Sequence, residues 1–210
     1  MCGIIGYIGD KNASEVIATG LKRLEYRGYD SAGMALLDGD LVVKKKKGKI
    51  ADLVKTLKFS DYKNHTIGIG HTRWATHGEP SDVNAHPHTD CENAIAIVHN
   101  GIIENFSVIK QMLLERGHTL RSETDTEVLA HLIEYYHSEL PLTESVRRTL
   151  LKVDGTYGIA VISKKEPGKI VAARNGSPLI LGVGDDEMVL ASDASAVIEH
   201  TRQVIYIEDG

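Results

Sequence analysis

The second residue of the chain is a cysteine, and this position gives its thiol a chemistry that an internal cysteine lacks. Removal of Met1 would leave Cys2 with an α-amine of pKa about 7.7–8.0 beside a thiol of pKa about 8.5. That amine can accept the thiol proton near neutral pH, so one residue would supply both nucleophile and base. The alternative is that Cys2 is a small, inert, buried side chain on an apolar strand.

A second polar cluster occupies segment 71–80, which leaves a predicted strand and enters a loop containing glycine and proline. Arg73 offers a planar guanidinium suited to a carboxylate, and a charge-assisted bond of this kind contributes about 1.5–3 kcal/mol. Trp74, the only tryptophan, lies in this polar loop, where it could close a cavity. The alternatives are a surface ion pair for Arg73 and a core position for Trp74.

Asn100 and Gly101 follow an apolar strand predicted over residues 94–99. A side-chain amide followed by a glycine N–H can provide two convergent donors, which is the composition of an oxyanion hole. The alternative is an Asn-Gly turn, the commonest meaning of this dipeptide. The segment that follows continues towards a helix rather than a return strand.

Asp125 lies at the start of a predicted helix, within segment 124–127, whose pattern is that of a capping box. Its carboxylate could cap the helix or could bind a substrate ammonium. The ten histidines include a group close in sequence, but no His-Glu-x-x-His motif or paired cysteine ligands accompany them. We therefore predict no metal and no cofactor.

The apolar patterns predict an α+β protein with antiparallel sheets, because strands come in hairpin-like groups and the helices are consecutive. The lysine block 44–47 is expected to be a solvated edge strand. Helices are predicted over residues 14–26, 104–116 and 143–152 and after residue 127. Strands are predicted over residues 2–8, 32–37, 41–45, 66–72, 94–99, 157–163, 169–173, 179–183, 188–191 and 204–207.

The composition is that of an ordinary globular chain. Its 210 residues are 42% hydrophobic and 25% charged, with a formal net charge of −5. The acidic balance argues against nucleic acid as the main partner, and no apolar run is long enough to predict a membrane span. Two cysteines are too few for a disulfide-framed secreted fold, so we expect a single, soluble, cytoplasmic domain over residues 1–210.

Six segments together resemble the glutaminase (N-terminal, class II glutamine amidotransferase) domain of the glutamine–fructose-6-phosphate aminotransferase (isomerizing) family. The segments that carry the resemblance are 1–6, 26–33, 71–80, 84–88, 99–105 and 122–127. The resemblance implies an N-terminal nucleophile fold, a four-layer αββα sandwich of two antiparallel sheets. It also implies that Met1 is removed in the active form, that the C-terminal sugar-isomerase domains are absent here, and that the full-length protein is a homo-oligomer.

The same resemblance assigns the catalytic roles. Cys2 would attack the side-chain amide carbon of L-glutamine and form a γ-glutamyl thioester, which water then hydrolyses to glutamate. The Asn100 side chain and the Gly101 backbone N–H would hold the oxyanion. Trp74 would act as a gate for the released ammonia.

The substrate-binding roles also follow from the resemblance. Arg73 would bind the α-carboxylate of glutamine and Asp125 its α-ammonium group. Thr76 and His77 would complete this pocket, with His86 as a further wall. Two rival interpretations stay open at this point: a glutamine-sensing module without catalysis, and a histidine-ligated metallohydrolase.

Overall fold

The computed structural model describes residues 2–210, and Met1, whose removal we predict, lies outside the described residues. The strands are β1 (Gly3–Ile8), β2 (Ser31–Asp38), β3 (Asp40–Lys47), β4 (Ile67–Arg73), β5 (His88–Thr89), β6 (Ile95–Ile103), β7 (Gly155–Ser163), β8 (Val171–Asn175), β9 (Ile180–Val183), β10 (Met188–Ala191) and β11 (Val204–Tyr206). They form two antiparallel sheets, one of seven strands in the order β11-β9-β10-β1-β4-β2-β3 and one of four in the order β5-β6-β7-β8.

The helices lie on the outer faces of the two sheets. They are α1 (Ala13–Leu24), α2 (Ile50–Val54), α3 (Phe106–Glu115), α4 (Glu127–His137) and α5 (Leu142–Leu150), with short 3-10 turns at Glu25–Arg27, Phe59–Tyr62 and Ala194–Ala196. Within residues 2–210, none of these helices has the length and apolar character that a membrane span requires.

Three apolar clusters separate the four layers. One packs α1 and α2 against the seven-stranded sheet, with Ile17 and Leu21 fully buried in it. A second lies between the two sheets and includes Ile69 and Val98. The third packs α3, α4 and α5 against the four-stranded sheet. This arrangement confirms the predicted αββα sandwich, in which each sheet buries both faces.

The pairing of β1 with β4 determines the position of Cys2. β1 pairs with β4 so that Gly3 is opposite Thr72, which brings Cys2 beside the end of β4 and the loop that follows it. β6 belongs to the other sheet and carries Asn100 and Gly101 near its end. The candidate catalytic residues therefore meet where the two stacked sheets end.

Most of the predicted elements are confirmed, with ends that differ by no more than four residues. The lysine block is on β3, which is an edge strand as predicted. The patterns missed β5 and α2, because two- and five-residue elements are too short to show periodicity. The predicted capping box is wrong: Thr126 is the N-cap but makes no side-chain capping bond. The Glu127 carboxylate instead accepts from the backbone N–H groups of Arg121 and Ser122.

Candidate active site

A cavity of about 340 Å³ opens beside Cys2, between the ends of the two sheets. It is large enough for an amino acid, and both sheets and the connecting loops contribute to its wall. The residues that line it are Cys2, Arg27, Arg73, Trp74, Thr76, His86, His99, Asn100, Gly101, Ile102, Thr124, Asp125, Thr126, Thr156, Ser177 and Pro178.

The Cys2 thiol is half-buried and is held by the main chain of Trp74. The Trp74 N–H donates to Cys2 Sγ at 3.2 Å, and the Trp74 carbonyl lies 3.5 Å from the same sulfur. Burial raises the pKa of the Cys2 thiol, and the Trp74 N–H acts in the opposite direction because it stabilises the thiolate. A base close to the sulfur is therefore needed for the thiolate to form near neutral pH.

The carbonyl of Cys2 is fixed from two sides. Arg27 Nε and Asn100 Nδ2 each donate to Cys2 O at 3.2 Å. Arg27 is itself paired with Asp193, at 3.3 Å between Nη1 and Oδ2. These bonds join residues far apart in the chain, and they hold the backbone of the nucleophile in one place.

His71 orients the Asn100 amide. Its Nε2 lies 3.0 Å from Asn100 Oδ1 and 3.0 Å from His99 O. Both partners are acceptors, so Nε2 carries the proton and donates. Burial lowers the pKa of His71 to about 3, so the ring is neutral. With its oxygen bound to His71, Asn100 presents its NH₂ group to Cys2, and one of the two N–H donors is left for another acceptor.

Gly101 has a backbone conformation that requires glycine, with φ of 131°. A Cβ at this position would lie 2.0 Å from the Thr156 carbonyl oxygen. Asn100 and Gly101 lie within β6 and pair with β7, so the alternative of an Asn-Gly turn is wrong.

Arg73 is 3% exposed, which excludes the surface ion pair. Its Nη2 donates to the carbonyl oxygens of His77 and Gly78, the latter at 3.1 Å. Its Nη1 is buried and has no hydrogen-bond partner among residues 2–210. A buried guanidinium nitrogen without an acceptor is unfavourable, and an anion in the cavity would satisfy it.

Asp125 does not cap α4. One of its carboxylate oxygens accepts from the backbone N–H of Ile103 at 2.8 Å, and this bond ties the α3–α4 loop to the end of β6. The side chain is 5% exposed and lines the same cavity as Arg73. The cavity wall therefore carries both a guanidinium and a carboxylate, the two charges that an amino acid can pair.

The loop after β4 is held by the segment 28–31. The Asp30 carboxylate accepts from the Ala75 N–H, and the Asp30 N–H donates to the Arg73 carbonyl at 3.1 Å. Trp74 is 49% exposed and packs edge-on against Tyr29, at 5.5 Å between ring centroids, so the alternative of a core position is wrong. Trp74 is one of the residues that line the cavity.

Buried histidines surround the inner end of the cavity. The His86 ring lies 4.2 Å from the His71 ring and 4.7 Å from the His88 ring, measured between centroids. Burial lowers the pKa values of His86, His88 and His99, so the group is uncharged. His99 Nε2 lies 3.3 Å from the Thr156 carbonyl, so it donates there and its Nδ1 accepts from Thr126 Oγ1 at 2.8 Å.

One predicted substrate residue lies differently from the others. The His77 side chain is not among the residues that line the cavity; it packs edge-on against Phe106, at 5.6 Å between ring centroids. His77 contributes instead through its carbonyl oxygen, which accepts from Arg73. The remaining predicted site residues all line the cavity: Cys2, Asn100, Gly101, Arg73, Thr76, Asp125, His86 and Trp74.

The sequence alone predicts no role for Arg27, Asp30, His71 or His99. Each lies inside one of the segments that carry the family resemblance, and this is the signal that could have found them. Their function is to hold other groups in place, and such hydrogen bonds join residues that are distant along the chain.

The chain is similar to known proteins along its whole length. A family profile described as "Glutamine amidotransferase domain" matches residues 71–199. The glutamine–fructose-6-phosphate aminotransferases (isomerizing) of Chlorobaculum tepidum and Pyrococcus horikoshii are each 54% identical over all of the chain. The chain spans about a third of the length of these curated relatives, 35% in both cases.

Solved structures share the fold. An allosteric regulatory enzyme of purine biosynthesis matches with a TM-score of 0.86 and 30% identity, over 100% of this chain and 46% of its own. The glutamine phosphoribosylpyrophosphate amidotransferase of B. subtilis matches with a TM-score of 0.85 and 29% identity, with the same coverage. A class-II glutamine aminotransferase domain protein from Silicibacter pomeroyi, at 15% identity and a TM-score of 0.65, shares the fold alone and is covered to 92%.

Proposed function

Because this chain belongs to the glutamine amidotransferase domain family, we propose that it hydrolyses L-glutamine to glutamate and ammonia at Cys2. The observation that carries the proposal is the composition of one cavity. Its wall combines a thiol, an oriented amide donor, and a buried guanidinium whose Nη1 has no partner among the described residues. Asp125 supplies the opposite charge in the same cavity.

The reaction proceeds through a covalent intermediate. Cys2 Sγ attacks the side-chain amide carbon of glutamine, and the terminal amine of Cys2 takes the thiol proton and passes it to the leaving nitrogen. The carbon–nitrogen bond breaks, ammonia leaves, and a γ-glutamyl thioester remains. Water, activated by the same amine, then attacks the thioester, so glutamate leaves and the thiol is restored. This role of the amine requires that Met1 has been removed.

The oxyanion formed in each step is stabilised by Asn100 and Gly101. The free N–H of the Asn100 amide is directed by the bond from His71 to Asn100 Oδ1. The second donor is the Gly101 backbone N–H, on a residue whose φ of 131° excludes other side chains. Loss of one such donor typically costs about 2.7–4 kcal/mol of transition-state stabilisation.

Substrate selectivity comes from two charged side chains in the wall of the cavity. Arg73 Nη1 binds the α-carboxylate, and Asp125 binds the α-ammonium group. Thr76 and His86 complete the wall, and His77 acts through the carbonyl that holds Arg73. A substrate lacking either charge would leave a buried partner unpaired, which is unfavourable.

Trp74 is proposed to gate the exit of ammonia. Its backbone N–H donates to Cys2 Sγ, and the residue lines the cavity and is half exposed. Movement of the loop that it begins would open and close the site.

The activity of the whole protein is a further part of the proposal. The relatives that the chain matches are named for the use of glutamine and fructose 6-phosphate, and they are about three times longer. We infer that ammonia from this domain reaches C-terminal sugar-isomerase domains, where fructose 6-phosphate becomes glucosamine 6-phosphate in hexosamine biosynthesis. A cytoplasmic location and a homo-oligomeric full-length protein belong to the same proposal.

One set of assays distinguishes this proposal from its two rivals. Ammonia release from glutamine is measured for the parent chain and for Cys2→Ala, with and without a chelator, and glutamine binding is measured by calorimetry. We expect Cys2→Ala to bind glutamine and release no ammonia, and the parent chain to continue to turn over glutamine in the presence of the chelator. Parent chain that binds glutamine without turnover would favour the sensing module, and activity lost with the chelator but kept in Cys2→Ala would favour the metallohydrolase.

A further inference from the structure

A second cluster of reactive side chains lies outside the cavity, and the proposed reaction does not use it. It contains one thiol, two imidazoles and one carboxylate, whose nearest atoms all lie within 4.8 Å of one another. We call it the Cys91 cluster; its members are Cys91, His118, His131 and Glu134.

The ligand atoms of the Cys91 cluster lie close to one another. His118 Nδ1 and His131 Nδ1 lie 2.9 and 3.1 Å from the same oxygen of Glu134. Cys91 Sγ lies 3.4 Å from His131 Nδ1 and 3.7 Å from His118 Nδ1. Two ligands of a tetrahedral zinc ion, each about 2.0–2.3 Å from the metal, are themselves about 3.3–3.7 Å apart. The sulfur distances fall in this range, and the two carboxylate distances need to lengthen only slightly.

The donor set selects the metal. A thiolate and two imidazoles favour Zn²⁺ over Mg²⁺ or Ca²⁺, which prefer oxygen ligands. The thiolate and the carboxylate together balance the charge of one divalent ion. Four protein ligands fill a tetrahedral shell and leave no position for a substrate, which is the composition of a structural site rather than a catalytic one.

The surroundings of His131 also suit a ligand. Its Nε2 is buried and has no hydrogen-bond partner among the described residues, and it lies 3.7 Å from Glu127 Oε1. A zinc-bound histidine usually donates its other N–H to a carboxylate in this position. Glu127 is itself fixed, because it accepts from the N–H groups of Arg121 and Ser122 at 2.8 and 2.5 Å.

Three separate parts of the chain supply the ligands. Cys91 lies in the turn between β5 and β6, and His118 lies in the loop between α3 and α4. His131 and Glu134 are three residues apart on α4 and therefore share one face of the helix. Cys91 and His118 are only partly buried, so an ion can enter from solvent.

We propose that the Cys91 cluster is a structural zinc site. The ion fastens the β5–β6 turn and the α3–α4 loop to α4. Through His131 and Glu127 it also braces the segment 121–127, which carries Asp125. This site differs from the group of histidines that lie close together in sequence, because its ligands are spread over 44 positions, from Cys91 to Glu134, and show no short motif.

The two cysteines of the chain provide a matched comparison. The purified chain is loaded with Zn²⁺, passed over a chelating resin, and its zinc content is measured by mass spectrometry; Co²⁺ is then substituted and the absorption spectrum recorded. We expect one ion per chain and a sulfur-to-cobalt charge-transfer band in the parent and in Cys2→Ala. Cys91→Ala is expected to lose the band and to bind zinc at least about tenfold more weakly.

If Cys91→Ala does not fold, His118→Ala, which changes a partly buried loop residue, replaces it in these measurements. Zinc should raise the melting temperature of the parent and of Cys2→Ala but not that of His118→Ala, because a ligand stabilises only the state that binds it. Parent chain that the resin strips of zinc, or a charge-transfer band that persists in Cys91→Ala, would overturn the proposal. These readouts do not depend on glutamine turnover, so they stand or fall separately from the proposed function.

The bracing of segment 121–127 has its own test. Removal of zinc is expected to increase deuterium uptake in this segment, whereas uptake in β1 should not change. Equal uptake with and without zinc would show that the ion does not hold the segment, and would overturn this part of the proposal.

Discussion

Among single residues, chemical type makes Cys2 and the Asn100-Gly101 pair candidates, because few residues can act as a nucleophile or as convergent donors. The family resemblance, rather than chemical type alone, favours these roles over an inert cysteine and an Asn-Gly turn. The role of His71 could not be predicted in this way. Its Nε2 reaches Asn100 Oδ1 across the space between two sheets, and only the fold creates that contact.

Asn100→Ala tests the oxyanion role at this scale. We expect kcat for ammonia release to fall by about 10²–10³-fold with little change in KM, because the amide acts mainly in the transition state. Asn175→Ala is the matched control, since within residues 2–210 the Asn175 side chain makes a single hydrogen bond, a solvent-exposed one to the Gly155 carbonyl. A rise in KM at unchanged kcat would assign Asn100 to substrate binding instead.

Among the elements, apolar periodicity predicts most strands and most helices, because the buried core requires apolar residues at regular spacing. Apolar periodicity could not predict the conformations of the loops that form the site. The loop after β4 takes its shape from Asp30 and from a close backbone approach: a Cβ on Gly28 would lie 2.7 Å from the Arg73 carbonyl carbon. Glu127 is a second example. The local sequence predicts a capping box, but in the structure the Glu127 carboxylate accepts from the backbone N–H groups of Arg121 and Ser122 instead.

Gly28→Ala tests that close approach. The added methyl group must displace the end of β4, so we expect the free energy of unfolding to fall by about 1–3 kcal/mol and KM for glutamine to rise. Gly168→Ala is the control, because a Cβ there meets nothing within 4 Å. The measurements are urea unfolding and glutaminase kinetics. Equal stability of the two variants would contradict the packing described for Gly28.

At the scale of the whole molecule, the stacked sheets enclose a layer of neutral histidines that could not be foreseen from sequence spacing. His71 is fully buried, and burial lowers its pKa to about 3. The unfolded chain binds a proton at this residue below about pH 6.5, whereas the folded chain does not until about pH 3. Its contribution to stability is therefore complete above about pH 6.5 and is lost progressively as the pH falls.

This linkage predicts acid destabilisation in a defined window. Between about pH 6.5 and pH 5 the free energy of unfolding should fall by about 2 kcal/mol from His71 alone. His86 and His88, whose pKa values are also lowered by burial, act in the same direction. Urea unfolding across this range, with a chelator present to exclude metal binding, gives the measurement. Stability that stays constant or rises on acidification would contradict the neutral histidine layer.

Cys2, at the start of the processed chain, is proposed to form the acyl bond. The most direct measurement is rapid acid quenching of the chain during glutamine turnover, followed by peptide mass spectrometry. We expect a γ-glutamyl adduct on a peptide whose first residue is Cys2, labile to hydroxylamine as a thioester should be. An adduct on any other residue, or on a peptide that retains Met1, would contradict the account.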